Sequence, residues 1–336
     1  MVEIKSNYEN GIDVITLKND AISVDVTNYG CTIMKIVVND KDNNPVDVVL
    51  GYDSPIEYGC KGGEYFGALV GRVANRIAKG NFTLNGNQYT LPINNGPNSL
   101  HGGIDGFSYR VFDYELIENG VKFHYVSKDG EEGYPGTLDL YATYTINGAS
   151  LKLHYEATTD QDTLINITNH SYFNLSGKPS NIDAHYMQIQ ADKMGCVDPD
   201  GLATGELVDV TGTPFDFREM KCIKDQIYTE NEQITLARGY DHPFIFNTDK
   251  DQVTLYCEET GIEMTVSTSL PQTHIYTANY LVGKLGKGIP MNERGAVCVE
   301  TQNMPDSIHN EKNPTVILKK GDTYDEYTEF RFGVKK

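Results

Sequence analysis

Three of the five Asn-Gly pairs, those at 85–86, 119–120 and 147–148, constrain the fold of this chain more than any other feature. Each pair lies between two short runs that are rich in β-branched and aromatic residues, such as Leu138 to Ile146 and Leu151 to Thr158 around the third pair. An Asn-Gly pair between two such runs is a strong signal for a tight hairpin. The sequence therefore predicts antiparallel pairing of neighbouring segments.

Similar short runs recur along the whole chain, from Asp13–Leu17 near its start to Tyr327–Val334 near its end. A helical period is nearly absent, and the two helix predictions, near Gly71–Ile77 and Met220–Ile227, are short. Many short antiparallel strands joined by turns indicate a sandwich or a barrel. Since no linker, internal repeat or low-complexity tract divides the chain, we expect an all-β protein with a single domain over residues 1–336.

The charge balance excludes several classes of partner. The chain has 28 Lys and Arg against 47 Asp and Glu, a net charge of −19, which argues against nucleic acid and anionic membranes because both require a basic surface. The first residues do not resemble a secretory signal, and no apolar run approaches the ~20 residues that span a bilayer. The six cysteines form no C-x-x-C pair, as expected of reduced thiols. We therefore expect a cytoplasmic protein.

A histidine interrupts one of the β-patterned segments. Residues Ile165 to Thr168 alternate apolar and polar side chains as a strand does, and Asn169-His170 then breaks the pattern. A histidine at the rigid end of a strand, with polar neighbours that orient its ring, is well placed for proton transfer. A satisfied, partly buried histidine is the alternative, and this segment alone favours that plainer interpretation.

A glutamate directly follows a second apolar run. Ala296–Val299 is typical of a strand covered on both faces, and Glu300 comes next. A carboxylate there is costly unless it is paired or used, because its desolvation must be offset. His170 and Glu300 together could act as general acid and general base on a small polar substrate, which requires few other residues. Metal binding lacks an H-x-x-x-H or HExxH motif, and nucleophilic catalysis lacks a G-x-S-x-G elbow.

Three further segments are polar or glycine-rich where strands or plain turns are expected. Gly67–Ile77 carries two arginines, Asn94–Gly103 carries His101 before two glycines, and Gly239–Phe244 carries Asp241 beside a histidine. The glycine spacing does not fit a dinucleotide-binding loop, and no GK[ST] tripeptide indicates a P-loop. Each segment also has a plainer interpretation, namely a surface ion pair, a surface loop histidine and an Asx turn.

Five motifs together resemble those of the aldose 1-epimerases, or galactose mutarotases, and they occur in the order found in that family. They are Gly71–Ile77 (GRVANRI), Asn95–Gly103 (NGPNSLHGG), Asn169–Leu175 (NHSYFNL), Tyr240–Phe244 (YDHPF) and Val299–Asp306 (VETQNMPD). The resemblance implies a large antiparallel β-sandwich of the galactose-mutarotase type with few short helices. It also implies an enzyme without cofactor or metal that interconverts the α and β anomers of free aldohexoses such as D-glucose and D-galactose.

The resemblance also implies a role for each site residue. Glu300 is similar to the general base that takes the proton from the anomeric hydroxyl, and His170 is similar to the acid that protonates the ring oxygen. His101 resembles a second histidine that contacts the sugar near the ring oxygen. The implied ligands or walls for the rest of the sugar are Asn75, Arg76, Asp241 and Tyr172.

One departure from the family pattern is visible, and several alternatives stay open. This chain has His274-Ile275 where relatives commonly carry Gln-Phe, which affects the apolar wall of the sugar site and the hexose preference. A glycoside hydrolase or lyase could use Asp241 and Glu300 as a carboxylate pair, and a sugar-binding module would need no catalysis. A hexose-phosphate mutarotase of the same family would need additional basic residues. The sequence is compatible with a monomer or a homodimer.

Overall fold

The computed structural model describes residues 1–6, 8–60, 64–178, 181–310 and 316–335. About 48% of it is strand and 10% is helix, so the expected all-β class is confirmed. The helices in these ranges are α1 (Pro55–Cys60), α2 (Ile223–Ile227) and α3 (Glu232–Ala237), with 3-10 turns at Glu9–Gly11, Ala78–Gly80, Phe107–Tyr109, Glu131–Gly133 and Ser307–His309.

The strands are mostly short, and they follow one another along the whole chain. Those in the first half are β1 (Val2–Ser6), β2 (Asp13–Lys18), β3 (Ser23–Thr27), β4 (Thr32–Asn39), β5 (Pro45–Asp47), β6 (Leu69–Val70), β7 (Arg76–Ile77), β8 (Asn81–Leu84), β9 (Asn87–Thr90), β10 (Ser99–Leu100), β11 (Asp113–Ile117), β12 (Gly120–Ser127), β13 (Leu138–Asn147), β14 (Ser150–Thr159) and β15 (Thr163–Leu164). Those in the second half are β16 (Thr168–Asn169), β17 (Tyr172–Phe173), β18 (His185–Ile189), β19 (Ala191–Val197), β20 (Ala203–Asp209), β21 (Lys221–Cys222), β22 (Asp241–Phe246), β23 (Val253–Cys257), β24 (Ile262–Thr268), β25 (Gln272–Tyr276), β26 (Leu285–Gly286), β27 (Ile289–Pro290), β28 (Val297–Gln302), β29 (Ile317–Leu318) and β30 (Thr323–Val334).

The largest sheet has nine antiparallel strands in the order β11-β12-β13-β14-β30-β24-β23-β18-β21. Strand β13 alternates buried and half-buried residues along almost its entire length. This alternation is typical of a sheet that packs on the core with one face only. Strand β30 pairs with both β14 and β24, so the last strand of the chain joins the two halves of this sheet.

Two further sheets share a core with the nine-stranded sheet. One has five strands in the order β1-β2-β3-β4-β5, and the other has six in the order β17-β28-β25-β22-β19-β20. One hydrophobic cluster contains side chains from all three sheets, among them Val26, Phe173 and Phe330. The ring centroids of Phe173 and Phe330 lie 5.0 Å apart. The sheets therefore form the large antiparallel β-sandwich that was expected.

The three Asn-Gly pairs between β-patterned runs lie at hairpins, as predicted, although the turns differ. Asn85 and Gly86 are the two turn residues between β8 and β9, and both have positive φ, 52° and 80°. At the second pair the turn is 118–119, because Gly120 already pairs with Ile117. At the third pair the turn is 148–149, since Asn147 still pairs with Ser150. The local signal locates each hairpin but not its register.

Two local predictions are wrong. Gly71–Ile77 is not helical: Asn75 has a φ of 62°, outside the right-handed helical region, and the segment ends in β7. Ile165–Thr168 is not one continuous strand, because only Thr168 belongs to β16. The other helix prediction, Met220–Ile227, is confirmed in part by α2.

The structure also bears on the membrane and thiol predictions. In the described ranges, no helix is long and apolar enough to cross a membrane. Five cysteines are free, namely Cys31, Cys196, Cys222, Cys257 and Cys298. The side chain of the sixth, Cys60, lies outside the described residues.

Candidate active site

Glu300 lies inside β28 and not at its end, because the strand continues to Gln302. Every residue of β28 is buried, since the strand runs within the six-stranded sheet between β17 and β25. The prediction of a buried strand is therefore right, but the strand is longer than expected. Glu300 is 2% exposed, and its Oε2 has no hydrogen-bond partner among the described residues. An unpaired buried carboxylate oxygen is costly and calls for a functional explanation.

His170 faces Glu300 from the segment between β16 and β17, which is distant from β28 in the sequence. Its Nε2 lies 3.5 Å from Glu300 Oε1, and both side chains are almost fully buried. The backbone of His170 is held on both sides, since its N–H donates to the carbonyl of Ala68 and its carbonyl accepts from the N–H of Gly67, each at 2.9 Å. The ring stacks on Tyr172 with a centroid distance of 5.0 Å. Two residues predicted from separate motifs are therefore brought together.

Strand register explains why these two side chains meet. Strands β17 and β28 are antiparallel and pair Tyr172 with Cys298. Continued two residues beyond the end of β17, this register would bring His170 level with Glu300. On the other side of β28, strand β25 pairs His274 with Glu300. Side chains that are level on adjacent strands lie close together on one face, so the sheet aligns His170, Glu300 and His274.

Burial changes the acid–base behaviour of the central pair. It raises the pKa of Glu300 well above its ordinary value, and the charge of Asp241 raises this pKa further, whereas Arg76 lowers it. Burial also lowers the pKa of His170 to about 4. Both shifts favour the uncharged forms of the two side chains in the pocket that they share. Because the two groups are in contact, they titrate as a pair.

His101 is held as a neutral donor at the edge of the same pocket. It follows β10, and its Nδ1 accepts a hydrogen bond of 3.2 Å from the backbone N–H of Asn75. The ring proton of the neutral form is therefore on Nε2. Burial, followed by the charge of His170, lowers the pKa of His101 well below its ordinary value.

Arg76 and Asn75 lie at the start of β7. The Nε of Arg76 donates to Asn95 Oδ1 at 3.0 Å, and the backbone N–H of Arg76 donates to Asn75 Oδ1 at 2.8 Å. The guanidinium also packs closely on Gly201, where an added Cβ would lie 3.0 Å from Arg76 Cζ. Both polar side chains are thus held in place at the pocket.

Asp241 and Tyr172 complete the set of predicted residues. Burial alone would raise the pKa of Asp241, but the hydrogen bond and charge of His274, together with Arg76, lower this pKa to about 2. The hydroxyl of Tyr172 donates to the backbone carbonyl of Glu64 at 2.7 Å. Since that hydroxyl is engaged, Tyr172 contributes its ring as a wall.

All seven predicted residues line one pocket of about 590 Å³. Sequence reasoning missed several other lining residues as site members: Glu64, Tyr65, Asn95, Leu100, His274, Tyr276 and Tyr280. Asn95, Leu100, His274 and Tyr276 lie within or beside segments that were singled out, so adjacency was an available signal. Tyr65 had no such signal, although its ring contacts His101 with a centroid distance of 4.7 Å.

Among the residues that the structure describes, one set of side chains in the pocket could ligate a metal ion. His101, His170 and Glu300 offer three ligand atoms that lie within 4.8 Å of one another. Ligand atoms on a tetrahedral ion with bonds of ~2.0–2.2 Å are roughly 3.5 Å apart. The separation of 3.5 Å between His170 Nε2 and Glu300 Oε1 matches this spacing, so the trio is a candidate ligand set.

A buried glutamate that faces a buried histidine, in a pocket with further polar donors and acceptors, defines a general acid–base enzyme for a small polar molecule. Residues 13–331 match the family model described as aldose 1-epimerase. Galactose mutarotase of Bos taurus is 42% identical over 331 residues, covering 96% of this chain and 94% of that protein. The aldose 1-epimerase of Escherichia coli (strain K12) is 32% identical over 329 residues, with 95% and 94% covered.

Solved structures agree with these sequence relatives. An aldose epimerase homologue from C. elegans superposes with a TM-score of 0.90 at 30% identity, covering 96% of this chain and 99% of that one. Galactose 1-epimerase from Lactobacillus acidophilus gives a TM-score of 0.89 at 29% identity, with 100% and 99% covered. The chain belongs to the aldose 1-epimerase family and is an isomerase. The resemblance drawn from the five motifs is confirmed.

Proposed function

We propose that this protein interconverts the α and β anomers of free aldohexoses, D-galactose and D-glucose among them, by opening and closing the pyranose ring. The observation that carries the proposal is His170 opposite Glu300, with 3.5 Å between Nε2 and Oε1, inside a polar pocket. The relatives named galactose mutarotase and aldose 1-epimerase support the same reaction.

The reaction needs two proton transfers at neighbouring oxygens. The carboxylate of Glu300 takes the proton of the anomeric hydroxyl while protonated His170 gives its proton to the ring oxygen. The bond between C1 and O5 breaks, its electron pair goes to O5, and C1 becomes an aldehyde. After rotation about C1–C2, O5 attacks the other face, His170 takes back the proton from O5, and Glu300 returns its proton to the C1 oxygen. Each positioned group contributes roughly 10²–10⁴-fold to the rate.

The sugar itself brings the pair into its active form. Burial disfavours charge on both Glu300 and His170, whereas the reaction starts with a charged pair. An anomeric hydroxyl that donates to Glu300 and a ring oxygen that accepts from His170 both stabilise the charged forms. The positive charge of Arg76, which lowers the pKa of Glu300, acts in the same direction.

The other polar groups of the pocket hold the sugar in position. Arg76 and Asp241 offer charge-assisted hydrogen bonds to hydroxyls, and these are stronger than neutral ones. Asn75 and the Nε2–H of His101 offer neutral hydrogen bonds. The rings of Tyr172 and Tyr65, which stack on His170, provide apolar faces suited to the CH groups of a sugar.

The rival classes fit the pocket less well. A hydrolase would use two free carboxyls, but Asp241 is bonded to His274 and Glu300 faces a histidine. For a hexose phosphate, the pocket offers too little positive charge. Among the described residues that line it, Arg76 is the one Lys or Arg, against the acidic Glu64, Asp241 and Glu300.

We also propose that the activity resides in one domain, in the cytoplasm, in a monomer or homodimer. The pairing of the C-terminal strand β30 at the centre of the nine-stranded sheet, and the core shared by three sheets, support one domain. Free thiols at the five described cysteines are typical of a reducing compartment.

Polarimetry of freshly dissolved α-D-galactose and α-D-glucose tests the function. We expect the wild type to accelerate the approach to anomeric equilibrium, and Glu300→Gln and His170→Asn each to lose roughly 10²–10⁴-fold in kcat. The half-buried pair His154 and Glu156, which does not line the pocket, provides matched controls, His154→Asn and Glu156→Gln, which should retain activity. If Glu300→Gln and His170→Asn were as fast as wild type, the assigned roles would be wrong. A wild type at the buffer rate, on free and phosphorylated hexoses alike, would refute the enzyme function.

A further inference from the structure

We infer that His274 is a positioning residue, which holds the carboxylate of Asp241 ionised and oriented at the sugar site and thereby sets how tightly the sugar binds. The inference rests on the proposed function, in which Asp241 accepts a hydrogen bond from a sugar hydroxyl. The sequence indicates only that His274 changes the apolar wall of the site. The structure shows that it is instead bonded to a carboxylate.

Strand register accounts for the contact between the two side chains. His274 lies in β25 and is 1% exposed. In the neighbouring strand β22 its direct partner is Pro243, and Asp241 lies two residues away on the same face. Such diagonal neighbours are within reach of long side chains. The Nε2 of His274 donates to Asp241 Oδ1 at 2.6 Å, the short distance of a charge-assisted hydrogen bond.

His274 stands between two carboxylates but bonds to only one of them. Glu300 is its register partner on the opposite side, in β28, and the Oε2 of Glu300 has no partner among the described residues. The pocket thus contains two separate imidazole–carboxylate pairs. His170 and Glu300 carry out proton transfer, whereas His274 and Asp241 face a different part of the sugar.

The hydrogen bond matters because Asp241 is largely removed from water. The Asp241 side chain is 19% exposed, and burial raises the pKa of its carboxyl. The bond from His274 is the largest influence in the opposite direction, followed by charges that include that of Arg76. With one oxygen bonded to His274, the second oxygen of the carboxylate is left for a sugar hydroxyl. Without His274, the carboxylate would lose both its orientation and the hydrogen bond that does most to offset the effect of burial on its pKa.

Two substitutions separate hydrogen bonding from packing. In His274→Gln, the amide nitrogen can donate to Asp241 much as the imidazole Nε2 does. In His274→Phe, a ring of similar size fills the same space without a donor. His185→Phe is the matched control, because His185 is another buried strand histidine, 1% exposed, that does not line the pocket.

The experiment measures kcat and KM for D-galactose by polarimetry, galactose affinity by calorimetry and unfolding by heat. We expect His274→Phe to raise KM at least about tenfold, as for the loss of a hydrogen bond to a charged group, with kcat within about threefold of wild type. His274→Gln should keep KM within about threefold of wild type. His185→Phe should lower the unfolding temperature and leave KM unchanged. If the role of His274 were merely structural, His274→Phe would show this same pattern.

A double-substitution cycle with Asp241→Asn isolates the coupling. If His274 acts through Asp241, the double variant should raise KM no further than Asp241→Asn alone, because the two changes remove the same interaction. Additive effects would show that His274 contacts the sugar independently and would overturn the inference. An unchanged KM in either His274→Phe or Asp241→Asn would also overturn it. Turnover by the wild type tests the proposed function separately, and the calorimetric affinities test His274 even without turnover.

Discussion

At the scale of single residues, burial has more influence on the site than the intrinsic chemistry of its groups. Free Glu and His differ in pKa by roughly two units, with the histidine higher. In the pocket the order is reversed, because burial raises the pKa of Glu300 and lowers that of His170 to about 4. The free enzyme therefore favours a neutral pair with one proton. In the proposed mechanism, the charged form required for catalysis depends on the bound sugar.

The pH profile of kcat/KM should report this shared proton. As pH falls through about 4, His170 binds a second proton in the pair, so we expect kcat/KM to fall there and not near the ordinary histidine pKa. As pH rises, the last proton leaves when the raised pKa of Glu300 is reached, and kcat/KM falls again. Polarimetric rates across the pH range test both limbs.

Substitution of Asp241 should move both limbs to lower pH, because the charge of Asp241 raises the pKa of His170 as well as that of Glu300. The charge of Asp241 raises the pKa of Glu300, so Asp241→Asn should shift the alkaline fall of kcat/KM to lower pH. The exposed Asp160→Asn is the control and should leave both limbs in place. An alkaline limb that does not move in Asp241→Asn would contradict the coupling between the two carboxyls.

At the scale of elements, the site depends on the register of neighbouring strands and on the segments that pack beside them. Strands β28, β25 and β22, which are neighbours in one sheet, supply Glu300, His274 and Asp241, and His170 lies two residues before β17 at the edge of the same sheet. Arg76 comes from a different pairing, β7 with β10, and the turn 198–202 packs against its guanidinium through Gly201. One sheet thus brings together the proposed proton-transfer pair, and separate segments contribute part of the proposed sugar-binding set.

Gly201→Ala should weaken sugar binding through Arg76. An added Cβ would lie 3.0 Å from the guanidinium carbon, so Arg76 or the turn must shift. We expect KM for D-galactose to rise by roughly three- to tenfold, the range for a disturbed hydrogen bond, with little change in kcat. Gly212→Ala is a matched control, because Gly212 has nearly the same φ, 72° against 74°, and nothing within 4 Å of the added Cβ. Equal KM effects in the two variants would mean that backbone strain, not Arg76, is responsible.

At the scale of the whole molecule, buried histidines make the stability of the fold depend on pH. Burial lowers the pKa of His170 and His185 to about 4 and that of His242 to about 3. Each ionises at an ordinary pKa of ~6.5 in the unfolded chain, which therefore binds more protons than the folded chain between these values. Stability must then decrease as pH falls from about 6.5 towards 4, although the raised pKa of Glu300 opposes part of this loss.

Urea denaturation near neutral pH and at about pH 5 should show this loss, of about 2 kcal/mol for each such histidine at most. His185 is the best residue to test, since it lies outside the pocket and its Nε2 accepts from the backbone N–H of Leu175 at 2.9 Å. We expect His185→Phe to be less stable than wild type near neutral pH but to lose less stability on acidification. The same acid-induced loss in both proteins would show that His185 does not contribute.

Local chemistry in the sequence determined the fold class, and the family motifs identified half of the residues that line the pocket. Asn-Gly turns between β-patterned runs require only neighbouring residues, so antiparallel hairpins could be predicted without knowledge of the rest. The seven predicted site residues lie in short motifs that keep their order along the chain, and all seven line one pocket. Turns and short motifs of this kind can be recognised in the sequence without knowledge of the three-dimensional structure.

Only the tertiary structure decided how these residues act on one another. His170 and Glu300 come from distant segments, and their contact depends on the register of β17 with β28. The bond from His274 to Asp241 depends on a second register, and Tyr65 reaches His101 from a segment without any motif. A shift of one residue in a strand would turn each side chain to the other face. Strand register results from the packing of the whole sandwich, and no local sequence pattern encodes that packing. The pairing of each carboxylate with its histidine could therefore be found only in the folded chain.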